Sequence, residues 1–357
     1  MSGPHHAIAA TRVAARRALA PFGDGSLVLV ACSGGADSLA LAAAVAFEAP
    51  RAGLSAGAVV VDHDLQEGSL AVAERAADQC RGLGLAPVEV VSVQVGGPAG
   101  SQVAGRAAGL AGGQVSGPAG ASGPVAGAGS GPESRARDAR YRAFEEMTAR
   151  VGAVAVLLGH TRDDQAEQVL LGLARGSGAR SLSGMPARRG PYVRPLLGVS
   201  RSTTVAACAA AGLTAWLDPH NSDPAYGRVR ARALLPILEI ELGPGTVAAL
   251  ARSADLLRED ADALDDLAAH AREELGPGQV IPAAALLRLP TALRTRVWRL
   301  LAIEAGCPPG ALIATHIDSL DTLVTRWRGQ GPIDLPGHVQ GSRTDGRVLV
   351  ASIRQVQ

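Results

Sequence analysis

Val28-Leu29-Val30-Ala31-Cys32-Ser33-Gly34-Gly35-Ala36-Asp37-Ser38-Leu39-Ala40-Leu41 decides the fold. An apolar run breaks at Ser-Gly-Gly and resumes with helical spacing, which reads as strand, loop and helix. Gly34 and Gly35 permit positive φ and close backbone approach, and the N–H groups that open the following helix form a nest for an anion. The segment is a nucleotide phosphate site in outline. It is not of the Gly-Lys-Ser/Thr kind, because the chain has no lysine and all 34 basic residues are arginine. Ser33 or Asp37 would equally serve as a plain helix cap, so the neighbouring segments have to decide.

The 357 residues suffice for two or three domains. Hydrophobic residues make up 47% and aromatics 3%, so the core is built from Ala, Val and Leu. A net charge of +1 confines any nucleic-acid surface to local arginine clusters. Cys32, Cys80, Cys208 and Cys307 lack C-x-x-C spacing, which argues against a disulfide framework or a zinc site. No apolar run reaches the roughly eighteen residues that span a membrane, and no signal peptide is recognisable. The expectation is a cytoplasmic protein without a membrane partner.

Outward from the loop, residues 5–20 read as an amphipathic helix, followed by strands at 26–31, 56–61, 88–95 and 153–158 that alternate with helices at 39–47 and 70–83. Continuous apolar strands alternating with helices predict an α/β fold, a Rossmann-like parallel sheet covered on both faces. Residues 96–132 dissolve into Gly, Ala, Ser and Pro and read as a flexible insert. A helix from Glu133 brings Arg137, Arg140 and Tyr141 within one turn. Gly159-His160-Thr161-Arg162-Asp163-Asp164-Gln165-Ala166-Glu167 opens another, with Val169, Leu170 and Leu173 expected on its buried side. Six arginines and no acid lie between Arg175 and Arg201, and a helix is expected over 203–211. Residues 1–242 form the predicted catalytic domain. Residues 243–357 form a smaller, mainly helical C-terminal domain, with helices at 246–275, 282–305 and 316–327 and a β-hairpin at the end.

In an open parallel sheet, ligands bind beyond the carboxyl ends of the strands. Three such ends carry polar groups: Ser33 to Ser38, Asp62 to Asp64, and His160 to Glu167. Asp164 and Glu167 share a helix face near its N-terminus. Their spacing also suits a capping box, worth about 1 kcal/mol to the helix and nothing to chemistry. Two acids outside a strand end and facing a phosphate loop suit Mg²⁺ or an ammonium group, and Asp37 inside the loop is best placed for the metal. His63 and His160 have no second histidine at ligand spacing and read as polar linings.

Ser33-Gly34-Gly35-Ala36-Asp37-Ser38 resembles the phosphate loop of the N-type ATP pyrophosphatases, the PP-loop family. Glu133 with Ala136-Arg137 and Arg140-Tyr141, the 159–167 segment, Arg175-Gly176-Ser177-Gly178, Arg194-Pro195-Leu196-Leu197, and Trp216-x-Asp218 with Asn221 narrow the resemblance to the tRNA(Ile)-lysidine synthetases. That resemblance implies a ligase that uses ATP and Mg²⁺ to adenylate the wobble cytidine of a CAU-anticodon tRNA(Ile). Free L-lysine then displaces AMP. It also implies roles. Ser33 to Ser38 and His63 would bind the nucleotide, with Asp37 on the metal. Asp164 and Glu167 would bind and activate the lysine amine. Arg137 and Arg140 would act at the reacting nucleotide, and His160, Asp163, Arg194, Arg228, Arg230 and Arg232 would hold substrate. Arg294, Arg296 and Arg299 would grip the tRNA away from the chemistry, and members of the family often pair as homodimers. A PP-loop tRNA cytidine thiolase shares the loop but needs cysteines grouped for sulfur transfer. A non-catalytic tRNA-binding protein needs none of Asp37, Asp164 and Glu167.

Overall fold

The computed structural model describes residues 3–62, 68–93, 104–105, 132–218 and 223–353. His63, Asn221 and most of the 96–132 insert lie outside the described residues. Two compact units are present, one ending at Leu257 and the other beginning at Arg258.

The first unit holds strands β1 (Leu27–Ala31), β2 (Ser55–Asp62), β3 (Val88–Ser92), β4 (Ala104–Gly105), β5 (Ala155–Leu158), β6 (Arg188–Arg189) and β7 (Tyr192–Val193) in one sheet of order β4-β3-β2-β1-β5-β7-β6. The five inner strands are parallel and the two-residue edge strands antiparallel, the Rossmann-like sheet expected. Its helices are α1 (His6–Leu19), α2 (Ala36–Glu48), α3 (Ser69–Gly82), α4 (Pro132–Val151), α5 (Arg162–Ala174), α6 (Ala179–Leu182), α7 (Arg201–Ala210) and α8 (Gly227–Glu241). The long α9 (Thr246–Glu274) runs on past Leu257, so the division falls inside a helix.

β1 sits at the centre, with Val28 paired to Ala56 on one side and Ala155 on the other. Val28 and Val30 pack with Leu19, Leu39, Leu41 and Ala77 on one face, while Leu29 joins Phe144, Met147 and Tyr192 on the opposite face. With both faces covered, the central strands β1 and β5 are apolar throughout and show no alternation. Tyr141 belongs to that second cluster, its ring edge-on to Tyr192 with centroids 4.8 Å apart.

Leu173 departs from expectation. It is exposed, and Gly172 faces α6 instead, where an added methyl would stand 3.0 Å from Leu182. The buried side of α5 is largely polar, with Asp164, Gln165 and Glu167 beside Ala166 and Val169.

The second unit contains strand β8 (Val280–Pro282), helices α10 (Ala283–Leu287), α11 (Thr291–Glu304) and α12 (Ala314–Thr325), and strands β9 (Ile333–Leu335), β10 (Val339–Thr344) and β11 (Arg347–Ser352). The single helix expected over 282–305 is broken. Pro282 ends a strand, and Pro290, which lacks an N–H and biases Leu289 away from helical angles, becomes the N-cap of α11. The terminal hairpin is part of a four-stranded antiparallel sheet, β8-β11-β10-β9, packed with Trp298, Leu301 and Leu320. Among the described residues no single helix is long and apolar enough to cross a membrane.

Candidate active site

β1 delivers the chain into the loop Cys32–Gly35 at its carboxyl end, and α2 starts at Ala36. Gly34 has φ +79°, and a methyl there would meet Ala76 at 3.2 Å, so both its angle and its surroundings call for glycine. Ser38 closes the loop: its Oγ accepts from the Ser33 N–H at 3.1 Å and donates to the Gly35 carbonyl at 2.9 Å. Gly35, as N-cap, supplies no side-chain acceptor, which leaves the first N–H groups of α2 for an anion. The loop borders a cleft of about 400 Å³ whose apolar wall includes Val59, Val61, Phe144 and Leu158.

The second strand end approaches the first closely. A methyl on Gly159 would stand 3.1 Å from Ser38 Cα and 3.2 Å from the Asp37 carbonyl carbon, so glycine allows β5 to deliver His160 beside the loop. Asp164 is a cap after all, though with Thr161 rather than Glu167 as its partner. Its Oδ2 accepts from the Thr161 N–H at 2.7 Å and from the Thr161 hydroxyl at 2.9 Å. Its Oδ1 is left for other work. Glu167, one turn on, is fully buried.

Arg201 ties the acids together. Its Nη2 donates to Asp164 Oδ1 at 2.7 Å, its Nη1 to Glu167 Oε1 at 2.9 Å, and its Nε lies 3.6 Å from Asp37 Oδ2. The Asp163 carboxylate accepts the Arg201 backbone N–H at 2.8 Å and docks the start of α7 on α5. Thr204, one turn along α7, donates to Asp37 Oδ1. Arg232 adds an Nε bond to Glu167 Oε1 at 2.8 Å, and Arg228 Nε stands 3.7 Å from Glu167 Oε2.

These surroundings set the protonation states. Burial pushes the Asp37 carboxyl up, against the pull of Thr204 and Arg201. Burial acts on Asp164 in the same sense, but Arg201 and the Thr161 donors outweigh it and hold that group below the usual carboxylate range. Burial, assisted by Arg194, Arg228 and Arg137, drives His160 down to about 3 against the attraction of Asp164. The imidazole is therefore neutral, and its buried Nδ1 has no hydrogen-bond partner among the described residues.

The structure brings Ser33, Gly35, Asp37, Ser38, Arg140, His160, Asp164 and Arg232 to one cleft. Arg137 is exposed on α4 and lies over the Tyr141 ring, 5.1 Å from its centroid. Arg194 is buried and donates to the Pro186 carbonyl at 2.9 Å. Arg230 donates to the carbonyls of Pro224 and Ala225, so its guanidinium braces a turn. Arg201 received no role from the sequence. Its one signal was its place in a basic window without acids, which required its partners to come from another segment.

The second-unit arginines expected to grip RNA each have a partner within the unit. Arg294 pairs with Asp321 at 2.7 Å, Arg296 with Asp265 at 2.7 Å, and Arg299 donates to the carbonyls of Leu312 and Pro309. All four cysteines are buried, and among the described residues no three His, Cys, Asp or Glu side chains are grouped to hold a metal.

The sequence matches the PP-loop domain family over residues 10–238 and the TilS substrate binding domain over residues 282–349. It is 53% identical to the tRNA(Ile)-lysidine synthase of Thermobifida fusca, over 99% of this chain and 100% of that protein. The synthases of Streptomyces coelicolor, at 48% identity over 98% and 99%, and of Salinispora tropica, at 50% over 96% and 95%, are similar. Among solved structures, a U34-tRNA thiolase from Methanococcus maripaludis with its 4Fe-4S cluster aligns with a TM-score of 0.52 at 16% identity, covering 71% of this chain and 80% of that one, a likeness of fold. A PP-loop whose Asp37 shares one cleft with Asp164, together with identity near one half over the full length, leads to one conclusion: the chain belongs to the tRNA(Ile)-lysidine synthase family.

Proposed function

We propose that this protein uses ATP to join L-lysine to C2 of the wobble cytidine in a CAU-anticodon tRNA(Ile), giving lysidine and changing the tRNA from AUG and methionine to AUA and isoleucine. The observation that carries the reading is the convergence of Asp37 and Asp164 on one cleft, tied through Arg201 to the buried Glu167. Binding alone requires no such set of acids.

In the first half-reaction the cytidine O2 attacks the α-phosphorus of ATP and pyrophosphate leaves. The N–H groups at the start of α2 and the Ser33 to Ser38 loop stabilise the charge that develops on the departing phosphates. Asp37 fits a magnesium site, since one of its oxygens is held by Thr204 and the other has only the 3.6 Å approach of Arg201. Mg²⁺ bound there would supply charge neutralisation at the phosphates.

In the second half-reaction the lysine ε-nitrogen attacks C2, the C2–O bond breaks and AMP departs. An amine of pKa near 10.4 is neutral in about one molecule of 2,500 at pH 7, equivalent to roughly 4.6 kcal/mol against attack. Asp164 is the carboxylate of the second strand end that lines the cleft, and it binds the ammonium and takes its proton, while the buried Glu167 acts behind it through Arg201 and Arg232. Asp164 has one oxygen on the helix cap and one on Arg201, so receiving the amine exchanges a guanidinium for an ammonium.

Arg137 and Arg140, both exposed on α4, and Arg228 and Arg232 face the RNA. Arg194, His160 and Asp163 shape the ground on which it rests. Incubation of purified protein with ATP, radiolabelled lysine and CAU-bearing tRNA(Ile) tests the function. Label in the RNA, with AMP released in equal amount, is expected. No label, with the tRNA shown competent by a relative's enzyme, defeats the reading.

A further inference from the structure

Arg294, Arg296 and Arg299 each have a partner within the second unit, which turns attention to arginines there whose side chains have none among the described residues. At the end of α12 the chain reads Arg326-Trp327-Arg328-Gly329, and Gly329 turns it away at φ +78°. Arg326 and Arg328 are exposed, and neither side chain has a hydrogen bond or salt bridge among the described residues. Trp327 between them is 37% exposed, whereas Trp298 in the same unit is fully buried. Behind the indole lies Arg343 of β10, its Cζ 5.2 Å from the ring centroid and its Nη1 anchored on the Leu323 carbonyl at 2.8 Å.

Charge is divided across the unit. Residues 326–347 carry four arginines against two acids, while residues 258–274 carry seven acids against two arginines. An anion is repelled from α9 and drawn to the end of α12. A tryptophan backed by one guanidinium and flanked by two more matches the surface on which proteins hold unpaired nucleotides, with stacking on the ring and ion pairing at the phosphates. A continuous stem would offer only phosphates and leave the indole without a partner.

We propose that Arg326, Trp327, Arg328 and Arg343 form an RNA contact of the second unit, in which an unpaired base of the substrate tRNA stacks on Trp327 and its flanking phosphates pair with Arg326 and Arg328. The inference rests on the RNA-substrate reading above. Its test measures binding of a CAU-bearing tRNA transcript to the full chain at salt from about 50 to 200 mM. The double variant Arg326→Gln/Arg328→Gln is expected to make the slope of log K against log salt shallower by about 1.4 to 1.8, at 0.7 to 0.9 per lost phosphate contact. Trp327→Ala is expected to weaken binding about five- to a hundredfold with the slope retained, and Trp327→Phe to recover most of the loss. ATP affinity should stay at the wild-type value throughout. Folded variants that bind tRNA with wild-type slope and affinity overturn the contact and leave the RNA-substrate reading standing. Wild-type protein that shows no salt-dependent tRNA binding overturns both.

Discussion

Replacing Arg201 by methionine removes the one side chain that, among the described residues, reaches Asp37, Asp164 and Glu167 together. The guanidinium is 23% exposed, and its partners Asp37, Asp164 and Glu167 are 26%, 10% and 0% exposed. Breaking a buried ion pair by deleting one partner costs about 3–5 kcal/mol, because the other charge is stranded. None of the acids is wholly stranded here. Glu167 keeps Arg232 at 2.8 Å, Asp164 keeps its Thr161 donors, and Asp37 keeps Thr204. The expected loss therefore sits at the low end, about 3 kcal/mol, or roughly 6–12 °C in the transition of a unit this size. Thermal and urea unfolding followed by far-UV circular dichroism measure it, with Arg201→Lys as a comparison that keeps a charge but not the fork. The pH dependence has a definite sign. Asp164 is depressed in the folded state, so its contribution is present above the ordinary carboxylate pKa and is lost as pH falls through the folded value. Wild type and Arg201→Met should thus converge below about pH 4. A loss under about 1 kcal/mol at neutral pH, or a gap that persists undiminished at about pH 3, refutes the hub.

Asp37→Asn should abolish AMP formation at any lysine concentration, read by nucleotide chromatography; retention of more than a few per cent argues against its place at the phosphates. Glu167→Gln should impair lysine use more than adenylation, and equal loss in both partial reactions contradicts that division of labour. Gly159→Ala forces a methyl against the backbone of Asp37 and Ser38, so a loss of about 1–3 kcal/mol and a fall in kcat of about a hundredfold are expected; normal turnover would mean that the close approach is not required. Because His160 is held near 3, protonation of the unfolded chain erodes stability as pH falls from about 6.5, and His160→Gln should flatten that part of the stability curve. An unchanged curve would place the imidazole in solvent.

Residues 26–41 determined a good deal by themselves. An apolar run with both sheet faces to fill, two glycines and a helix-forming sequel allow little but a strand, a phosphate loop and a helix, and the order of the later motifs named the family. Local sequence also predicted the strand ends that carry Asp37 and Asp164, because a strand end is a local event. It missed the break at Pro290 and the strand at 280–282, since three residues are too few to show alternation. It also misdirected the arginines. Arg294, Arg296 and Arg299 read as a basic helix face, yet each has an acid or a carbonyl as partner within the fold. Only the tertiary structure could make those assignments. A guanidinium's partner is chosen by which segments pack together, and Arg201 meets acids that lie 34, 37 and 164 positions before it in the chain. Coulomb attraction depends on distance in space, and spacing in sequence sets that distance only within one helix or one strand.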